Sequence, residues 1–152
     1  MSEPVKIGVV GVGYLGSIHA QIYTRLSDVT LVGVNDLDSD VGKRVAVDCE
    51  CDFYSNVDQL ADSVDAVRVV VPTSCHREVS LPFLSKGIPV LLEKPVAHTL
   101  DDARLIVNEA EQSGTILQIG HLERFNAGVV RLHEELDRPR FIEVHRLSEF
   151  VE

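Results

Sequence analysis

Apolar residues along the chain gather into short β-branched runs, and between these runs they recur every three or four positions. The runs predict strands near residues 5–10, 29–35, 51–53, 66–71, 89–93 and 116–120. The intervening stretches have helical spacing and predict helices near residues 14–26, 39–48, 57–62, 75–86 and 100–113. Thr99 is placed to cap the last helix, with Asp101 and Asp102 in its first turn, and Gly87 and Gly114 fall where helix ends need glycine. Strand and helix patterns that alternate in this way imply a parallel sheet covered by helices on both faces, an α/β fold of the doubly wound class. Right-handed crossovers give the strand order 3-2-1-4-5-6, with the ligand crevice at the carboxyl edge between the first and fourth strands.

The pattern changes towards the carboxyl end. Asn126 to Leu136 predicts a helix with Val129, Val130, Leu132 and Leu136 as its apolar positions, and Arg138-Pro139-Arg140 breaks it. Phe141 to Phe150 then alternates in part like a strand, although the six-stranded sheet is complete without it. The expected organisation is a dinucleotide-binding domain over residues 1–123, followed over 124–152 by a crossover helix and the truncated start of a second α/β domain. A strand without its sheet leaves main-chain groups unpaired, so the expectation is disorder beyond about Pro139 or pairing between two copies. Pairing would make the chain a homo-oligomer, a dimer through the C-terminal strand.

The first strand runs into Ile7-Gly8-Val9-Val10-Gly11-Val12-Gly13-Tyr14-Leu15-Gly16, where three glycines at positions 11, 13 and 16 have the spacing that accepts a dinucleotide pyrophosphate. Gly11 can make the tight turn, Gly13 leaves the phosphates room, and Gly16 lets the helix lie close on the strand. The N–H groups of Tyr14 and Leu15, at the start of that helix, would face the phosphates. Asp36 ends the second strand 20 positions beyond Gly16, where its carboxylate can accept from both hydroxyls of an adenosine ribose. A 2′-phosphate would be repelled there, and Leu37-Asp38-Ser39-Asp40 offers no arginine to attract one. The expected fold is thus a Rossmann domain, and the expected cofactor is NAD, with NADP the lesser choice.

Composition narrows the partners. A formal net charge of −10 over 152 residues argues against a nucleic-acid or anionic-membrane surface, without opposing one anionic cofactor held by main-chain N–H groups. Glu3 and the early glycines do not fit a signal peptide, and no apolar run approaches transmembrane length. Cys49, Cys51 and Cys75 are odd in number and lack secreted-scaffold spacing, so reduced thiols and a cytoplasmic setting are expected. A single C-x-C with no second half-site is a poor metal motif, and no metal is expected.

Three further segments reach the same crevice. The fourth strand ends in Pro72-Thr73-Ser74-Cys75-His76, which places Pro72, Thr73 and Ser74 beside the cofactor; Thr73 and Ser74 also suit helix capping. His76 is open between a ligand contact and a polar surface position. The fifth strand ends in Glu93-Lys94-Pro95, where Lys94 could hold a substrate hydroxyl or tune a neighbouring acid–base group, and Glu93 could orient it. A surface ion pair is the plain alternative for these two residues, and a cis bond before Pro95 is open. Beyond the sixth strand, His121, Arg124 and Asn126 form a polar cluster able to grip an anionic or sugar substrate, or merely a charged helix start with Arg124 paired to Glu123 or Asp102.

Taken together, the glycine loop, Asp36, Pro72 to His76, Glu93-Lys94-Pro95, and Gly120-His121 through Arg124-Phe125-Asn126 resemble the Gfo/Idh/MocA oxidoreductases. The resemblance spans residues 5 to about 150, and Glu93-Lys94-Pro95 is its most specific element. His121 to Asn126 and Phe141 to Arg146 look most like members that oxidise the 3-hydroxyl of UDP-N-acetylglucosamine-type sugars. Ala127 departs from the pattern, since such members usually carry proline there. The resemblance implies an NAD-dependent dehydrogenase acting on a sugar or sugar nucleotide. It implies that Lys94, the catalytic residue, sits beside the nicotinamide and the reacting hydroxyl. It also implies that an acid–base histidine and most of the sugar pocket belong to a C-terminal domain beyond this chain, which alone should be nearly inactive. The rival reading is a non-catalytic dinucleotide-binding module acting as a sensor or partner subunit.

Overall fold

A computed structural model of the chain describes residues 3–145 and 147. Six strands form one parallel sheet: β1 (Val5–Val10), β2 (Val29–Asn35), β3 (Asp52–Phe53), β4 (Ala66–Val69), β5 (Val90–Leu92) and β6 (Leu117–Ile119), in the order β3-β2-β1-β4-β5-β6. This is the expected doubly wound Rossmann order, with β1 between β2 and β4. Helices α1 (Tyr14–Tyr23), α2 (Ser39–Asp48), α3 (Val57–Ala61), α4 (His76–Ser85) and α5 (Leu100–Ser113) connect the strands.

The alternation of strand side chains divides the core in two. On one face Val9, Leu31 and Val34 pack with Ala20 of α1 and Val45 of α2. On the other, Val10, Val67, Val69 and Leu92 pack with Leu60, Phe83, Leu84 and Ile106 from α3, α4 and α5. Each of the Val, Leu, Ile and Phe side chains contributes roughly 1.5–3 kcal/mol by leaving water. Helix starts are set by side-chain caps: Asp38 Oδ1 accepts from the N–H groups of Asp40 and Val41, Asn56 from Asp58, and Thr99 Oγ1 from Asp102. Gly114 closes α5 in the left-handed region at φ 64°, where a side chain would be strained.

Several boundaries differ from expectation by one to three residues, and two of the differences have a visible cause. α1 ends at Tyr23, because the N–H groups of Arg25 and Leu26 turn back to Ile22 and Tyr23 in a tighter final turn. The helix expected from residue 75 instead begins at His76, after a 3-10 turn over Thr73–Cys75.

The chain divides after Gly120 into two compact units. By itself, the second contains a 3-10 turn, Leu122–Phe125, and a helix α6, Ala127–Glu135. The strand expected over 141–150 is not formed at residues 141–145, which are exposed and pair with no neighbouring strand; an isolated strand has nothing to satisfy its ladder groups. Arg146 and residues 148–152, on which the rest of that strand and its pairing were expected, lie outside the described residues. Among the described residues no helix is long and apolar enough to cross a membrane.

Candidate functional site

Because Val10, Val69 and Leu92 stand side by side in the register of β1, β4 and β5, the residues that follow them share one carboxyl edge of the sheet. Gly11 begins that edge at φ 82°, with its N–H donated to the Asn35 carbonyl at 2.8 Å. A Cβ at Gly11 would stand 2.6 Å from the Val70 carbonyl oxygen, so the glycine loop and the exit of β4 are in direct contact. At Gly16 a Cβ would come within 1.8 Å of the Gly11 carbonyl oxygen, because α1 packs onto the loop. Gly13 is different: a Cβ there would meet nothing within 4 Å, and no side chain caps the helix it precedes. The N–H groups of the first turn, including those of Tyr14 and Leu15, are therefore left for an external acceptor.

Asp36 is half-buried at the end of β2 and tied into this loop. Its Oδ2 accepts the Val12 N–H at 2.7 Å and its Oδ1 accepts the Asp38 N–H at 2.9 Å. Each carboxylate oxygen keeps a further lone pair, so a ribose diol can still be accepted. This link between residues 24 apart has no local sequence signal. Arg44 of α2 is likewise new: it lines a cavity of about 340 Å³ with Gly13, Tyr14 and Ser17, beyond the segment 37–40, which carries no arginine.

Pro72 and Ser74 are exposed and Thr73 is half-buried, on the turn beside Gly11. The structure places His76 inside the fold and not at the surface. Its ring is buried, with Nε2 at 3.1 Å from the Val71 carbonyl and Nδ1 at 3.3 Å from the Val96 carbonyl, and the neutral ring donates to one of these two oxygens. It lies between the exit of β4 and the segment after Pro95.

Lys94 is exposed at the end of β5, and the Lys94–Pro95 bond is cis. Glu93 is also corrected: rather than reaching the Lys94 ammonium it is buried and ion-paired with Arg68, while its Oε2 accepts the Lys94 main-chain N–H at 3.2 Å. Arg68 itself is 2% exposed in the middle of β4. Its Nε donates to His19 Nδ1 at 3.0 Å and another guanidinium nitrogen to the Leu91 carbonyl at 3.4 Å. Burial, then the nearby Arg68 charge, holds His19 below its ordinary value; burial pushes Tyr23 up, with Arg68 opposing. Arg68 belongs to none of the sequence motifs. Its signal was a charge within the apolar run Val67-Arg68-Val69-Val70-Val71, since a buried charge demands a partner.

His121, Arg124 and Asn126 lie exposed in the second unit, around one 3-10 turn. Asn126 caps α6, accepting from the Gly128 N–H at 2.9 Å and donating to Glu123 at 3.1 Å. Asp102, one of the alternatives weighed as a partner of Arg124, instead pairs with Arg77. Among the described residues no group of three or more His, Cys, Asp or Glu could hold a metal ion. The thiols are free, and burial, then Cys49 and Asp52, pushes Cys51 up to about 12.

The parallel order, the open glycine turn and the acid at the end of β2 define a dinucleotide-binding domain of the Rossmann class. The sequence model of the Gfo/Idh/MocA oxidoreductase family, NAD-binding Rossmann fold, matches residues 5–121, and the chain belongs to that family. It is 35% identical over 147 residues to UDP-N-acetylglucosamine 3-dehydrogenase of Acidithiobacillus ferrooxidans, a match covering 96% of this chain and 46% of the relative. It is 34% identical over 139 residues to inositol 2-dehydrogenase 1 of Saccharopolyspora erythraea, covering 88% and 41%. Among solved structures, GenD2 from gentamicin A biosynthesis in complex with NAD aligns with a TM-score of 0.82 at 30% identity, over 88% of this chain and 39% of that one. The chain thus spans less than half the length of these proteins.

Proposed function

We propose that this chain is the NAD-holding part of a dehydrogenase that exchanges a hydride between the cofactor and a pyranose carbon, with the 3-hydroxyl of a UDP-N-acetylglucosamine-type sugar as the site of oxidation. The observation that carries the cofactor reading is the uncapped first turn of α1 beside Gly13, opposite an Asp36 carboxylate already oriented by the Val12 N–H. The main chain at Gly11, Gly13, Tyr14, Leu15 and Gly16 would hold the pyrophosphate, Asp36 the adenosine ribose, and Pro72, Thr73 and Ser74 would border the nicotinamide end. NAD, when bound, supplies the hydride acceptor.

Lys94 would orient the reacting hydroxyl from the same sheet edge by donating from its ammonium to the oxygen. His76 and Glu93 position the segments around it. His121, Arg124 and Asn126 are assigned to the sugar or its phosphates on the strength of similarity to the A. ferrooxidans enzyme, which also supports the 3-hydroxyl over other positions. Residues 124–152 are read as the crossover into a substrate domain, supported by relatives more than twice as long and by exposed Val129, Val130 and Leu132 on α6. The free thiols support a cytoplasmic setting.

Calorimetric titration of the chain with NAD and NADP tests the cofactor reading. Tighter binding of NAD is the expected result. Tighter binding of NADP, or no binding of either, would overturn it.

A further inference from the structure

We propose that Arg68 is a positioning residue that engages the Glu93 carboxylate and so keeps it from the Lys94 ammonium, leaving that ammonium free for the oxygen of a substrate hydroxyl. The proposal rests on the role given to Lys94 above. Glu93 immediately precedes Lys94, and a carboxylate next to an ammonium is its natural competitor for any neutral ligand. Yet one Glu93 oxygen takes the Arg68 guanidinium and the other takes the Lys94 main-chain N–H. Among the described residues the Lys94 ammonium itself has neither a hydrogen bond nor an ion pair.

The arrangement is held from several sides. Arg68 is fixed by its donation to His19 on α1 and to the Leu91 carbonyl on β5, so its fork presents to Glu93 in one orientation. Above the pair lies Gly120, where a Cβ would stand 3.1 Å from Glu93 Oε1 and 3.4 Å from both terminal guanidinium nitrogens. Gly120 has no left-handed φ, so a side chain there would meet no backbone strain and would instead press on this pair. The ends of β4, β5 and β6 therefore close around one buried ion pair. Such pairs are poor sources of net stability, because desolvation offsets the attraction. What this one supplies is a fixed carboxylate, one oxygen held by Arg68 and the other by the Lys94 main chain, directly beside the free ammonium.

Acetylation of the lysines by limiting acetic anhydride at pH 8, read by peptide mapping with Lys6 as the internal reference, tests this without cofactor or sugar. Arg68→Met releases the carboxylate, and Lys94 acetylation is expected to fall about threefold relative to Lys6, the effect of an exposed ion pair. Arg68→Met/Glu93→Gln removes both charges and should restore the rate of the unmodified chain. An unchanged rate in a folded Arg68→Met chain would overturn the proposal, since a merely structural arginine alters stability without altering Lys94. If Arg68→Met does not fold, Arg68→Gln, which keeps an amide donor and loses the charge, replaces it with the same two outcomes. Faster Lys94 acetylation in the double variant than in the unmodified chain would also overturn the proposal, because Glu93 would then already pair with the ammonium. NAD titration of the same samples reports separately on the cofactor reading.

Discussion

Gly13 and Gly16 look equivalent in the glycine motif, but they face different neighbours. Nothing would meet a Cβ at Gly13, whereas a Cβ at Gly16 would run into the Gly11 carbonyl. Gly13→Val should therefore stay folded, with a urea midpoint close to that of the unmodified chain, and lose NAD affinity in calorimetry. Gly16→Val should cost about 1–3 kcal/mol or more of stability through overpacking. Equal loss of stability in both would refute the assignment of Gly13 to the phosphates. Asp36→Ala is expected to narrow the preference for NAD over NADP, and adding Arg44→Ala should remove any NADP affinity so gained, because Arg44 stands beside Gly13 and Tyr14. His19 carries a pH prediction of definite sign. Its folded value lies below the ordinary 6.5, so its contribution is fully present above pH 6.5 and is lost as pH falls below it and the unfolded chain takes up the proton first. Urea unfolding at pH 7.5 and 5.5 should show a larger loss for the unmodified chain than for His19→Gln. At this scale the motif residues were legible because their spacing is local. The Val12–Asp36 bond and the Arg68–Glu93 pair were not, since each joins positions more than twenty apart in sequence.

Elements were legible where periodicity and chemistry agreed. β1 and β2 match their runs, and α5 matches its cap at Thr99 and its glycine at 114, because every signal falls within a few residues. The start of α4 was less so: Pro72 directs a 3-10 turn before the helix, and His76 is drawn inside by two carbonyls from segments that no helical pattern relates to it. The inner face of α4 holds a second such residue. The Ser80 hydroxyl is fully buried with no partner among the described residues. A buried unsatisfied hydroxyl costs free energy, so Ser80→Ala should stabilise the chain by about 1 kcal/mol, read from the urea midpoint. A loss of stability would mean that the hydroxyl has a partner, such as a water.

For the molecule as a whole, the glycine loop, Asp36, Pro72 to Ser74 and Lys94 all belong to the unit before Gly120, whereas His121, Arg124 and Asn126 belong to the one after it. On the proposed roles, the cofactor and Lys94 would be served by the first unit, and the remaining sugar contacts by the second. Removing residues 121–152 is expected to leave NAD affinity within about twofold, because no main-chain group assigned to the cofactor lies there; twofold is ~0.4 kcal/mol. Turnover should behave differently. Hydride transfer from a pyranose needs a group to take the hydroxyl proton and a closed, dry pocket. The dehydrogenases to which the chain is similar are more than twice as long as it is. Residues 1–152 should accordingly bind NAD and produce little NADH with UDP-N-acetylglucosamine, and NADH formation at ordinary enzymatic rates would show that the site is complete within them. In a polypeptide that does turn over, Lys94→Ala should lower kcat by about a hundredfold or more while NAD affinity changes little, since the ammonium acts on the hydroxyl and not on the dinucleotide. A loss confined to NAD affinity would move Lys94 from the reacting oxygen to the cofactor.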